Sequence, residues 1–384
     1  MFAQRLDTLP PYLFARIDES KAKKIAEGVD VIDLGVGDPD LATPEHIVDA
    51  LVAAARDPAN HHYPSYLGMK PFREAVSTWY QNRFGVSLNP DTEIISLMGS
   101  KDGVHHLPEA FINPGDYVLA PSPGYPVYRT GALFAEGLTY DMPLLSENSF
   151  LPAFDDIPKD IVKKSKLMWL NYPNNPTSAI APFSFYEEAV EFARNNDIVI
   201  VSDNAYSEIT YDGYVAPSFL EADGAKEVGI EMHSLSKTYN MTGYRIGMAV
   251  GNPDIIKALG IVKTNVDSGV YNPVQYAAIA AMTGPQECVK KACAIYQERR
   301  DALMSGLKSL GFHIEPPKAT FYVWLAVDDC MAFTQRMLDE TGIVVTPGLG
   351  FGRFGEGYVR FSLTRSVERI QEAVERMEQA HIGV

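Results

Sequence analysis

The sequence predicts an α/β fold: a large domain on a mostly parallel sheet flanked by helices, and a smaller α+β domain formed by both termini. Three observations predict it. Between about residues 93 and 252, short apolar runs alternate with helical patterns. Several of these runs are apolar throughout rather than alternating, as suits strands covered on both faces. Beyond residue 285 the pattern changes and opens with a long helical stretch.

Taken in order, the runs at 93–97, 116–120, 167–170, 198–201, 231–233 and 246–250 read as strands. Helical stretches separate them, as at 183–195, where Phe185, Val190 and Phe192 sit among charges. Strands separated by helices imply crossover connections and a mostly parallel sheet. The tail reads as a helix at 286–310, the pair His313-Ile314, an apolar run at 321–325, a helix at 331–341, a strand at 358–363 and a final helix at 367–379. The expected division is 1–45 as an N-terminal arm and part of the small domain, 46–285 as the large domain and 286–384 as the small one.

Composition removes several function classes. Lys and Arg number 33 against 49 Asp and Glu, a formal charge of −16, and no run holds five or more basic residues. Such a chain repels nucleic acid and anionic membranes. Three cysteines (Cys288, Cys293, Cys330) without a Cys-x-x-Cys pair suit a reducing compartment rather than a disulfide framework. The first nine residues mix Arg5 and Asp7 with apolar residues and hold no signal-type apolar region. No uninterrupted apolar stretch approaches the roughly 18 residues of a membrane span. A cytoplasmic location follows as the expectation. The pairs His61-His62 and His105-His106 lack metal-ligand spacing and read as structural or surface residues.

In open α/β sheets, ligands bind beyond the carboxyl ends of the strands. Four polar clusters fall there: Gly99-Ser100-Lys101, Asn171 to Thr177, Asp203, and Ser234-Leu235-Ser236-Lys237. Gly99-Ser100-Lys101-Asp102 alone reads as a turn and helix cap, but free amides and a hydroxyl at a helix start also suit a phosphate. Asp203 follows an apolar strand, where a buried carboxylate needs a cationic or donor partner. Lys237 follows apolar residues and has Arg245 eight positions on. Desolvation and a neighbouring cation both favour the neutral amine that imine chemistry needs. Gly348-Leu349-Gly350-Phe351-Gly352-Arg353-Phe354-Gly355 opens no helix in a strand–helix–strand unit, so it is a weak dinucleotide loop.

Together these clusters resemble the fold-type I aminotransferases that depend on pyridoxal 5'-phosphate, in the aspartate aminotransferase subgroup. The resemblance runs from Asp33-Leu34-Gly35-Val36-Gly37-Asp38-Pro39-Asp40 to the 358–363 strand. Its most specific part is Ser-x-Ser-Lys with Gly-x-Arg-x-Gly at 234–247, in order with Asn175-Pro176-Thr177 and Asp203-Asn204-Ala205-Tyr206. One departure is Ser178, where many members carry glycine.

The resemblance implies Lys237 as the Schiff-base lysine, Asp203 as partner of the pyridine nitrogen, and Asn175 and Tyr206 as donors to the phenolic oxygen. It implies Tyr125 stacked on the ring, and Ser100, Lys101, Ser234, Ser236 and Arg245 around the phosphate. Tyr63 would reach a neighbouring subunit's phosphate in a homodimer with shared active sites. Arg360, with the backbone of Gly37, would clamp the substrate α-carboxylate in a bidentate geometry lysine cannot copy. The substrates would be an amino acid and a 2-oxo acid.

The segment Pro11-Tyr12-Leu13-Phe14 is similar to the LL-diaminopimelate aminotransferases, whose other pair is glutamate and 2-oxoglutarate in lysine biosynthesis. Tyr66 stands where the better-known branch of that family has a glutamate reading the distal ammonium. Tyr12, Tyr66, Lys101 and Asn272 are the candidate distal contacts, and for Tyr12 an arm packing on a partner subunit is the competing reading. Aspartate or alanine transfer, or carbon–sulfur lysis, is the alternative activity. A transcription regulator would need a basic helix-turn-helix for which there is no room before Asp33.

Overall fold

The computed structural model describes residues 2–7, 9 and 13–383. Its strands are β1 Ile32–Asp33, β2 Ile94–Leu97, β3 Tyr117–Ser122, β4 Leu138–Pro143, β5 Ser165–Leu170, β6 Val199–Asp203, β7 Gly229–Ser234, β8 Gly247–Gly251, β9 Tyr322–Ala326, β10 Ile343–Val344, β11 Thr346–Pro347 and β12 Tyr358–Ser362. Seven of them form the main sheet in the order β2-β8-β7-β6-β5-β3-β4. Only β8 runs against its neighbours; the remaining pairings are parallel.

The unbroken apolar runs have the expected cause. Ile94, Leu119, Met168, Leu170 and Ile200 face one core, while their chain neighbours Ile95, Val118, Leu167, Trp169 and Val201 face another. Alternate residues enter opposite cores, so neither set can be polar. The six strands read from the sequence form within two residues of their expected ends. The seventh, β4, went unread: it is the outer edge strand and mostly half-exposed, so Thr139 and Asp141 break its apolar pattern.

A second body joins the two ends of the described chain. β1 pairs in parallel with β10, and β12 lies antiparallel between β9 and β11. Ile32 and Leu34 share an apolar cluster with Val323, Phe361, Ile370 and Met377. The helices fall close to their expected positions, at Glu287–Ser309, Cys330–Arg336 (extended by a π-turn at Met337–Thr341) and Val367–Gln379. His313 and Ile314 form no strand. Gly348–Phe351 and Arg353–Gly355 are two short 3-10 turns packed so tightly that a Cβ on Gly348 would overlap the Gly355 carbonyl.

One buried ion cluster ties two of these segments. Lys263 is 1% exposed and pairs with Asp102 and, at 2.7 Å, with Asp267. Asp102 also accepts from the Met98 amide, and Asp267 from the Gly269 amide. The lysine therefore joins the start of the Ser100–Phe111 helix to the loop before Asn272. Removing one partner of a buried pair strands the other charges. Lys263→Met is expected to lower unfolding free energy by about 3–5 kcal/mol, read as a fall in urea midpoint. An unchanged midpoint would show that the cluster contributes nothing net.

Candidate active site

The carboxyl ends of β2, β3, β5, β6 and β7 open on one cavity of about 420 Å³. It is lined by twelve residues singled out from the sequence: Gly37, Ser100, Lys101, Tyr125, Asn175, Asp203, Tyr206, Ser234, Ser236, Lys237, Arg245 and Arg360. Ser100, Tyr125, Asn175, Asp203, Ser234 and Lys237 share one wall because the parallel sheet gathers strand ends at one edge, and the second body brings Gly37 and Arg360 to the same cavity.

Lys237 lies on a one-turn helix directly after β7, which Ser234 caps by accepting from the Ser236 amide at 3.2 Å. Its Nζ donates to the Gly37 carbonyl at 2.8 Å and lies 5.6 Å from the centre of the Phe321 ring. Desolvation pulls the amine down to about 8; Arg360 and Arg245 push the same way and Asp38 opposes them. A substantial share of this lysine is therefore neutral in mildly alkaline solution.

Asp203 ends β6 and is buried. Its Oδ2 accepts from the Tyr128 hydroxyl at 2.7 Å, while Oδ1 is buried without a partner. Burial lifts the carboxyl to about 6, and the Tyr128 bond holds it lower than burial alone would. Tyr128 in turn stacks on Trp169 with ring centres 4.9 Å apart. Beside it, Asn171 donates from its side chain to the Asp203 carbonyl at 2.6 Å and accepts from the Asn175 amide at 2.9 Å. This fixes the 171–177 loop against the end of β6.

Arg360 is buried on β12. It donates to the Asn175 side-chain oxygen and to the Gly35 carbonyl, both at 2.7 Å, and its Nε has no partner. Its guanidinium lies between the rings of Tyr322 and Phe351, 4.1 and 4.7 Å from their centres. Two of five N–H donors are thus used on the protein, and the rest remain for an anion. Asn175, expected to face a phenolic oxygen, spends its side-chain oxygen on Arg360, leaving its NH2 as the donor. Tyr206 hydrogen-bonds the Tyr322 hydroxyl at 2.9 Å.

Arg245 sits at φ 54°, two residues before β8, and donates to the Thr242 carbonyl at 2.8 Å. It lies where a side chain on Gly99 would stand, and a Cβ on Gly247 would come 3.1 Å from the Ser100 amide. Bare backbone here leaves amides, hydroxyls and one guanidinium around a small space, a setting for a phosphate.

Three candidates among the described residues are not on this wall. Tyr63 (88% exposed) and Tyr66 (46%) lie on the surface. Asn272 starts the Asn272–Thr283 helix with its side-chain oxygen buried and unpartnered. Tyr12 lies outside the described residues. Asn171, which opens the 171–177 cluster, lines the cavity too, and Tyr128, Tyr322, Asp38 and Phe351 line it without having been singled out. Tyr128 follows Tyr125 by three positions across a helix start, and their rings meet edge to face with centres 5.8 Å apart. His105 and His106, with Glu109, have ligand atoms within 4.8 Å of one another but take no part in the cavity wall.

Comparison with known proteins agrees with the geometry. The family model "Aminotransferase class I and II" matches residues 29–377. The LL-diaminopimelate aminotransferase of Moorella thermoacetica is 53% identical over 98% of this chain and 97% of its own length. That of Aquifex aeolicus is 54% identical, covering 98% of both. The substrate-bound BacF structure from Bacillus subtilis superposes with a TM-score of 0.94 at 39% identity, covering 99% of this chain and 97% of that one.

The Asp203 carboxyl depends on one donor. In Tyr128→Phe its titration midpoint is expected to rise further above about 6, measured by 13C NMR on aspartate-labelled protein without added ligand. A midpoint equal to that of the unaltered protein would show that the hydroxyl does not tune it.

Proposed function

Because the chain belongs to the class I and II aminotransferases, we propose that it moves an amino group between LL-diaminopimelate and 2-oxoglutarate, in lysine biosynthesis. Enzymes of this family depend on pyridoxal 5'-phosphate, and the cavity passes a direct test of fit. The partnerless Asp203 Oδ1 is a buried carboxylate oxygen on the cavity wall, suited to a protonated ring nitrogen. The bare backbone at Gly99 and Gly247 beside Arg245 suits the phosphate. Lys237 offers the amine for the aldehyde. When bound, the cofactor withdraws electrons from the substrate's α-carbon.

The observation that carries the reading is the triple of Lys237, Asp203 and Arg360 on one wall. Arg360 presents its remaining N–H fork to the α-carboxylate, and the Gly37 backbone closes that end. The carboxylate then places the α-hydrogen within reach of Lys237 Nζ. With its amine held near 8, Lys237 acts as the base that takes this proton and later returns one. Asp203, kept anionic by the cation it faces, holds the ring nitrogen protonated. Ser100, Lys101, Ser234, Ser236 and Arg245 would hold the phosphate, Tyr125 would cover the ring, and Asn175 and Tyr206 would donate to its phenolic oxygen.

The substrate choice rests on relatives that are more than half identical over almost their whole length. The cavity supports it, because Asp38 and Lys101, of opposite charge, both line it. A distal ammonium and carboxylate would meet both, whereas alanine would meet neither. Tyr66, Asn272 and Tyr12 remain the proposed distal contacts.

The same reading includes a homodimer in which Tyr63 and Asn272 reach the partner's cavity, a division near residue 285 into a cofactor-binding domain and a small domain, and a cytoplasmic location. The exposed Tyr63, Tyr66, Val266 and Tyr271 support the first point. No helix among the described residues is long and apolar enough to cross a membrane.

Coupled assays of LL-diaminopimelate, aspartate and alanine against 2-oxoglutarate are expected to give the highest kcat/KM with the first. Good rates on the others with none on the first would overturn the substrate. Lys237→Ala is expected to lose turnover by at least about 10⁴-fold; near-normal turnover would remove Lys237 from the chemistry. Sedimentation velocity is expected to return a dimer, and a fully active monomer would contradict the shared site.

A further inference from the structure

We propose that Tyr322 is a positioning residue that sets both the plane of the Arg360 guanidinium and the direction of the Tyr206 hydroxyl proton. The inference rests on the cofactor and carboxylate roles proposed above. Tyr322 is buried at the start of β9. Its ring lies 4.1 Å from the Arg360 guanidinium carbon, and its hydroxyl lies 2.9 Å from that of Tyr206. The two tyrosine rings meet edge to face with centres 5.6 Å apart. One side chain therefore touches both the group that would take the substrate's carboxylate and a group that would face the cofactor.

Proton counting gives the hydroxyl its direction. Each phenol has one proton to donate. If Tyr206 gave its proton to Tyr322, it would have none for an oxygen in the cavity. A ligand oxygen accepting from Tyr206 therefore requires Tyr322 to be the donor in the pair. Tyr206 that accepts one hydrogen bond is polarised into a stronger donor for the next. Tyr322 then supplies the proton order that Tyr206 needs.

The backbone around Tyr322 is braced for this role. Its amide donates to Thr320 Oγ1 at 3.1 Å, and its carbonyl accepts from Ser178 Oγ at 2.8 Å. Ser178 and Thr320 hydroxyls also lie 2.8 Å apart. Since Ser178 gives its single proton to the Tyr322 carbonyl, Thr320 is the donor between them. Ser178 sits at φ 60°, a conformation that favours glycine, so its side chain is retained there against a backbone cost. It ties the 171–178 loop, which carries Asn175, to the strand that carries Tyr322. On the other side, Gly37 passes so close that a Cβ there would overlap the Tyr322 ring. The ring thus has little freedom to leave the guanidinium.

The two functions separate by substitution. Tyr322→Phe keeps the ring and deletes the proton; Tyr322→Leu deletes both. In the pyridoxal-phosphate-loaded protein, the pH midpoint of the bound cofactor's absorbance reads the Tyr206 bond. It is expected to rise by about half a unit in Tyr322→Phe, since a weaker donor stabilises the deprotonated form less. KM for glutamate reads the clamp: it should stay within about twofold in Tyr322→Phe and rise about tenfold in Tyr322→Leu. A phenylalanine variant with an unshifted midpoint overturns the hydroxyl role, and a leucine variant with unchanged KM overturns the ring role. Should the leucine variant fail to fold, Tyr322→Met in its place tests the ring by the same KM. Failure of the unsubstituted protein to develop any cofactor absorbance would instead overturn the proposed function.

Discussion

The amine of Lys237 is enclosed by protein at the end of a buried strand, and the enclosure taxes its charged form. Everything around it is arranged by the same electrostatics. Arg360 and Arg245 stand near enough to depress the amine further, and Asp38 pulls the other way. Both arginines line the cavity, and in the proposed function both meet anions. When an anion is seated on either, its charge cancels part of the repulsion felt at Nζ, so the lysine's proton affinity depends on which ligands are present. The neutral amine and the anion sites are coupled parts of one charge distribution.

Rigidity comes from where these groups are attached. Asp203 is the last residue of a central strand, flanked by β5 and β7, and Lys237 and Asn171 lie within three residues of strand ends. The Tyr128–Trp169 stack fixes the donor to Asp203 from behind. Arg360 sits mid-strand on β12 opposite Trp324. Groups on strands and strand ends hold their geometry better than groups on free loops. The buried polar network Asp203–Asn171–Asn175–Arg360 is closed by side chains from both sheets, so the position of one member constrains the others.

Much of this was written plainly in the chain. The doubly covered strands have a continuous apolar signature, and the cationic and anionic residues just after them break it abruptly, which is why Lys237, Asp203 and Ser100 stood out. What escaped was carried by residues that look ordinary locally. Strand β4 is an edge and alternates weakly. Tyr322 follows Phe321 in an apolar run whose two faces cannot be told apart before the strand's neighbours are known. Tyr128 acts through a partner 75 residues away, and no local pattern announces a partner. Ser178, which departs from the family's usual glycine, looked inconsequential until its hydroxyl was seen bridging to Tyr322. Tyr63 is exposed and the Asn272 side-chain oxygen is buried without a partner, so neither joins the cavity within one chain.

The lone reversed strand of the main sheet bears on how the molecule is made. β2 has a single neighbour, β8, and Ile94 pairs with Val250. During vectorial synthesis β2 leaves the ribosome long before β8 does, so its fully apolar face and unpaired edge wait through the translation of β3 to β7. Such an edge can recruit the wrong strand. The parallel interior can assemble meanwhile, but the wall carrying Ser100 can join the one carrying Lys237 only when β8 is threaded between them. Arg245 lies two residues before β8, so it arrives in the same late event.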